Sequence, residues 1–172
     1  LDLGKLYRQF DIVESAGVLH HMDDPAAGWK VLTDCLKPGG LMKIGLYSEL
    51  ARQHIVKIRK EISDACIGSN DEDMKSFRDT IMRSEKDHHE RILISSDFYS
   101  LSELKDLLFH VQEHRFTIPQ IKGHLDKLGL KFCGFEEKKI VSHFKQINKA
   151  IDDLYDLDKW QVFEEANPRA FA

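Results

Sequence analysis

Apolar positions along this chain switch between strand-like runs and helical stripes. Residues 10–19, FDIVESAGVL, hold Ile12, Val13, Val18 and Leu19 among small residues. Such a run predicts a buried strand, with Gly17 in the turn behind it. Asp24 stands before Pro25, an N-cap acid ahead of a proline whose missing N–H costs nothing at the first helical position. Trp29, Leu32 and Leu36 share one face of the helix that follows, and Lys37-Pro38-Gly39-Gly40 is expected to end it. Residues 41–47, LMKIGLY, read as a second buried strand. Strand, helix and strand in this spacing make a βαβ unit and predict a parallel sheet.

The next stretch is helical. Ala51, Ile55, Ile58, Ile62 and Ala65 form one stripe of a helix predicted from Glu49 to Ile67, which Gly68-Ser69-Asn70 breaks. Asp71, Glu72 and Asp73 favour the start of another helix, with Met74, Phe77 and Ile81 as its apolar face. Residues 84–96 show no clear period, and His88-His89 reads as a solvated pair in a charged loop. Ser100 with Glu103 and Thr117 with Gln120 both have capping-box spacing. The second box leads Ile121, Leu125 and Leu128 into Gly129 as the residue after the helix. LKFCGFE (130–136) reads as a third strand, and Ser142 as the cap of a last long helix using Phe144, Ile147, Ile151 and Leu154. Trp160 and Phe163 add a final turn or two before Asn167-Pro168.

Three strands among this many helices make a thin sheet, since parallel strands want cover on both faces. The chain of 172 residues is therefore expected to be one incomplete α/β domain, 1–172, with residues 49–129 as a mainly helical insert. Lys and Arg number 25 against 29 Asp and Glu, a net charge of −4 that gives no electrostatic pull toward nucleic acid or an anionic membrane. Apolar content of 42% with 31% charged residues is a globular balance. Cys35, Cys66 and Cys133 are odd in number and far apart, so a disulfide framework is not expected and a reducing cytoplasm is.

Phe10-Asp11-Ile12-Val13, Val18-Leu19-His20-His21 and Leu36-Lys37-Pro38-Gly39-Gly40 follow one another in an order and spacing that resembles the second half of a class I S-adenosylmethionine-dependent methyltransferase. The later run 106–136 is similar to the corresponding part of a bacterial subgroup that occurs beside tetratricopeptide repeats. The resemblance implies a partial Rossmann-like sheet, its fourth to sixth strands, with added helices. It implies S-adenosylmethionine as cofactor and an unknown methyl acceptor. The family's Gly-rich loop and its ribose-binding acid have no counterpart, and only nine residues precede Phe10. The chain by itself is accordingly expected to be an inactive fragment with half a cofactor site.

By the same resemblance, Ser15, Ala16, Gly17 and Leu19 would contact the cofactor at the carboxyl end of the first strand. His20 would be the base, since histidine titrates near neutral pH. His21, Tyr47, Ser48 and Arg52 would line the acceptor pocket. The run His110-Val111-Gln112-Glu113-His114 is H-x-x-E-H, which on a helix sets two histidines on one face beside a carboxylate. His110, Glu113 and His114 are thus further catalytic candidates, with Asp106 one turn earlier to orient or bind. A metal hydrolase would need a third ligand, and neither Glu136 nor Glu164 has a spacing that singles it out, so no metal is expected there. A non-catalytic module that oligomerises, as a homodimer or larger, through the strand at residues 10–14 is the other reading.

Overall fold

The computed structural model describes residues 2–109 and 112–171. They fall into two compact units, Leu1–Ala51 with Gln112–Ala172, and Arg52–Val111. Among the described residues no helix is long and apolar enough to cross a membrane.

The first unit contains the predicted βαβ arrangement. β1 (Phe10–Ser15) lies parallel to β2 (Leu36–Ile44), and α1 (Pro25–Asp34) forms the crossover. Asp24 caps α1 by accepting the Ala27 N–H at 3.0 Å, with Pro25 at the start as the sequence indicates. The helix ends sooner than its periodicity predicts. Lys37-Pro38-Gly39-Gly40 is part of β2 rather than a helix terminus. Phe10 pairs with Leu36 and Ile12 with Leu41, so Asp11 alone stands opposite residues 37–40. This bulge rests on Gly39 at φ +77° and on Gly40, where a Cβ would come within 2.9 Å of the Asp11 carbonyl oxygen. Lys37 Nζ reaches Asp11 Oδ2 at 2.9 Å across it.

A second parallel pair joins β3 (Tyr47–Ser48) to β4 (Arg115–Phe116). The Thr117–Gln120 capping box forms as predicted and starts α6 (Ile118–Leu128), which Gly129 closes at φ +66°. The expected strand at 130–136 is absent: these residues are irregular, with Gly134 at φ +116° and no ladder hydrogen bonds. Phe132 and Phe135 pack on the apolar cluster of this unit instead, Phe135 lying 4.8 Å from Trp160 between ring centroids. Ser142 is interior to α7 (Lys138–Ile147), which Glu137 caps at 3.2 Å from the Lys139 N–H. Ile151 and Leu154 belong to a separate 3-10 turn, Ile151–Tyr155. In α8 (Leu157–Ala166) Trp160 and Phe163 are buried, and the Trp160 ring stacks on Phe144 at 3.7 Å.

The second unit is helical. α2 (Gln53–Asp64) buries Ile55, Ile58 and Ile62 as predicted, although it starts after Ala51 and not at Glu49. α3 (Asp71–Met82) begins at Asn70, whose Oδ1 accepts the Asp73 N–H at 3.0 Å. Residues left unassigned by their pattern form α4 (Asp87–Ile92). His88 and His89 are on this helix, and His89 is only 2% exposed, contrary to the solvated pair expected. The Ser100–Glu103 box does not close, because Ser100 Oγ lies 3.0 Å from Ser102 Oγ and caps nothing. α5 (Leu101–Leu104) instead widens into a π-turn, Lys105–Phe109, whose Leu107 carbonyl accepts from Arg59 at 2.8 Å.

Candidate functional site

The first unit gathers most of the candidate residues at the carboxyl ends of β1 and β2. The Ser15 carbonyl accepts the Gly45 N–H at 2.8 Å, and a Cβ at Gly45 would stand 3.2 Å from Ala16 Cα. The two chains touch closely there because glycine allows it. Ser15 is buried, while Ala16 and Gly17 are exposed, and Gly17 takes φ +73° with open space where a Cβ would stand. Beyond it the 3-10 turn Leu19–His21 folds inward, burying Leu19 and His20. Gly28 of α1 seats that turn: a Cβ there would lie 2.5 Å from Met22 Sδ and 2.9 Å from Leu19 Cδ2.

His20 and Tyr47 lie ring over ring, centroids 3.8 Å apart, and His21 stands edge-on to His20 at 4.3 Å. The segment before β4 laces onto this turn. The His114 N–H donates to the His20 carbonyl at 2.7 Å, and His21 Nδ1 lies 3.2 Å from the Gln112 carbonyl. Gln112 Nε2 is 3.2 Å from both the Met22 carbonyl and His114 Nε2. His20, His21, Tyr47 and His114 are therefore one cluster. Its Gln112 is a member that sequence reasoning missed, since a glutamine between two candidates carries no chemical signature.

The described part of the H-x-x-E-H segment is not the helix that its spacing suggests. His110 lies outside the described residues, and residues 112–114 are non-helical. The Glu113 carboxylate is 1% exposed and faces Arg115 at 3.7 Å, and Arg115 Nε also donates to Glu49 at 3.0 Å. That surrounding suits an ion-paired anchor better than a metal ligand. The His20 carbonyl takes the His114 N–H and ties this non-helical stretch to the turn at residues 19–21. Arg52 and Asp106 belong to the helical unit. Arg52 precedes α2, and the Asp106 carbonyl lies 3.4 Å from the Arg59 guanidinium.

Ser48 donates to Glu164 Oε1 at 2.6 Å while its oxygen accepts the Ala51 N–H at 3.0 Å. Glu164 is buried, and that burial pushes its carboxyl above the usual range; the Ser48 hydrogen bond opposes the rise. A buried acid on the last helix was not legible, because Glu164 and Glu165 are adjacent and the sequence does not say which of them faces inward. Tyr47, Ser48 and Glu164 border an apolar cavity of about 770 Å³, whose walls include Trp29, Met42, Leu125 and Phe135. Ser15 to Leu19 do not line it. The cavity is of a size and polarity suited to a small organic ligand.

A family described as a methyltransferase domain has a model that matches residues 4–44, the stretch containing β1, α1 and β2. The uncharacterized protein syc1184_c of Synechococcus sp. is 26% identical over 176 residues, covering 94% of this chain and 41% of that relative. The chain thus spans less than half the length of this curated relative.

Proposed function

We propose that the first unit is part of an S-adenosylmethionine-dependent methyltransferase domain, holding one side of the cofactor site and part of the acceptor pocket. The observation that carries this reading is the match of a methyltransferase family to β1–α1–β2, two parallel strands whose carboxyl ends meet in an open glycine turn. Ligands of parallel α/β sheets bind at such ends. The tip fits the group: Ala16 and Gly17 offer exposed backbone, and no side chain crowds Gly17. Ser15 and Leu19 hold that tip in place from beneath, being buried.

When bound, S-adenosylmethionine supplies an electrophilic methyl group. The chain's own residues would hold the acceptor in line and take its proton. Burial of the His20 ring under Tyr47 favours a positioning part for it, and points to His21 as the base. His21 donates from Nδ1 to the Gln112 carbonyl in this reading, which directs the lone pair of its Nε2 outward. His114 then belongs to the support of that histidine, through Gln112, and Glu113 anchors the same segment by its ion pair with Arg115. Tyr47 and Ser48 border the cavity and would face the acceptor. Arg52 and Asp106 stay in this proposal as acceptor-binding residues, and His110 as a catalytic one. The resemblance to the subgroup found beside tetratricopeptide repeats belongs to the same proposal.

The test is calorimetric titration of S-adenosylhomocysteine into this chain and into the whole product of the gene that encodes it. Binding to the native product, with little or none to the 172-residue chain, is the expected result. Failure of both to bind overturns the reading. Micromolar binding to the short chain refutes the idea that its cofactor site is partial.

A further inference from the structure

We propose that Glu61, His88 and His89 form a zinc-type divalent metal site that joins α4 to α2 within the helical unit. His88 Nε2 lies 2.9 Å from Glu61 Oε1, and His89 Nε2 lies 2.7 Å from Glu61 Oε2. The three candidate ligand atoms all fall within 4.8 Å of one another. Ligands at zinc's usual bond lengths of about 2.0–2.1 Å in a tetrahedron stand about 3.3 Å apart, so small torsions of the three side chains convert one arrangement to the other. Two imidazoles with a carboxylate suit zinc and its neighbours among the transition metals. Calcium and magnesium, which take oxygen ligands, are disfavoured.

The scaffold is rigid where a site needs it to be. Glu61 lies between Ile58 and Ile62, both buried in the core of this unit, and His89 precedes Ile92, buried in the same core. α2 and α4 pack directly on each other. Side chains held on packed helices keep their geometry better than those on loops. The site is also reachable, because His88 and Glu61 side chains are 18% and 30% exposed, which leaves room for water as a fourth ligand. A cation already occupies this place: Lys86 Nζ sits 2.8 Å from Glu61 Oε1 on a side chain that is 56% exposed. Metal binding moves that ammonium out to solvent. Each imidazole then offers its Nε2 lone pair and carries its proton on Nδ1. For His89 that nitrogen is buried with no hydrogen-bond partner among the described residues. This sets the expected affinity below that of closed structural zinc sites, at micromolar rather than nanomolar dissociation constants.

The experiment titrates zinc into the metal-stripped full chain with a chromophoric chelator as competitor. Cys66→Ser and Cys133→Ser are made first, because both thiols are exposed and a thiolate is itself a zinc ligand. One zinc per chain at a dissociation constant of about 1–10 μM is expected. His88→Ala and Glu61→Gln each weaken it by about tenfold or more. His114→Ala leaves it unchanged. Lys86→Met preserves or tightens binding, since it removes the competing cation. Cobalt in place of zinc gives visible absorption bands that disappear in His88→Ala. Absence of saturable binding below about 1 mM, or binding indifferent to both His88→Ala and Glu61→Gln, shows an ion-pair cluster without a metal and overturns the proposal. Loss of binding in Lys86→Met also overturns it.

Discussion

Glu164 shows how one buried acid sets a pH response. Its burial raises the folded pKa above the ordinary 4.5, so the native carboxyl keeps its proton over a window where the unfolded chain has released it. Stability is therefore fullest below pH 4.5 for this group and falls as pH rises through the raised value. Glu164→Gln removes the charge and keeps an oxygen for the Ser48 hydroxyl. Thermal melts at pH 7 should show a gain of about 1 kcal/mol, the scale of one relieved buried polar group. A loss at pH 7 would contradict this assignment. His20 tests the opposite case. Replacing it with alanine removes a buried ring that packs on Tyr47 and His21, and should cost about 2–4 kcal/mol. His21→Asn, at a partly exposed position, should cost under about 1 kcal/mol in stability. In the whole gene product the same substitution should lower kcat by about a hundredfold or more if His21 is the base.

The element that reorganises most is β2. Its first residues, Leu36 to Gly40, carry proline and two glycines, and they enter the strand only because Asp11 lies opposite them in a bulge. Gly40→Ala puts a Cβ 2.9 Å from the Asp11 carbonyl oxygen and 3.0 Å from that of Lys37. The Leu36 side chain, also 2.9 Å away, can swing aside, but the two backbone oxygens cannot, so a loss of about 1–3 kcal/mol is expected by urea denaturation. Thr117→Ala opens the α6 capping box and should cost about 1 kcal/mol in the same assay. Ser100→Ala, at the box that stays open, should change stability by less than about 0.5 kcal/mol. The contrast between those two substitutions checks the capping assignments directly.

At the scale of the whole molecule, the β1–β2 sheet presents apolar side chains to water. Ile12 is 70% exposed, Leu41 61% and Phe10 42%. An exposed apolar strip on a parallel sheet, with an unpaired edge beside it, invites association. The chain in solution is therefore expected to self-associate through residues 10–14. Light scattering at tens of micromolar should give a mass of about twice the 19.9 kDa of one chain, and a monomer mass refutes the idea. Ile12→Asp, at a site with no packing to lose in the single chain, should return the protein to monomer without unfolding it.

Local chemistry determined a good part of this protein. Asp24-Pro25, the Ile55–Ile58–Ile62 stripe and the Thr117–Gln120 box act within a turn or two of helix, so their outcome is written in adjacent residues. Two parallel strands flanking α1 followed from the same short-range signals. The cluster of His20, His21 and Tyr47 was legible as a set of candidates, though not its geometry. What tertiary structure decided were the outcomes that need a distant partner. Residues 130–136 have strand-like composition but no strand to pair with, and strand composition without a ladder leaves polar backbone to find other bonds. Gln112 to His114 have helix-compatible spacing, but they are non-helical and hydrogen-bonded to residues 20–22. His89 is buried because Glu61, on another helix, accepts its Nε2–H. A hydrogen bond to that carboxylate outweighs the polar sequence around it, since a buried imidazole is tolerated once its N–H has an acceptor.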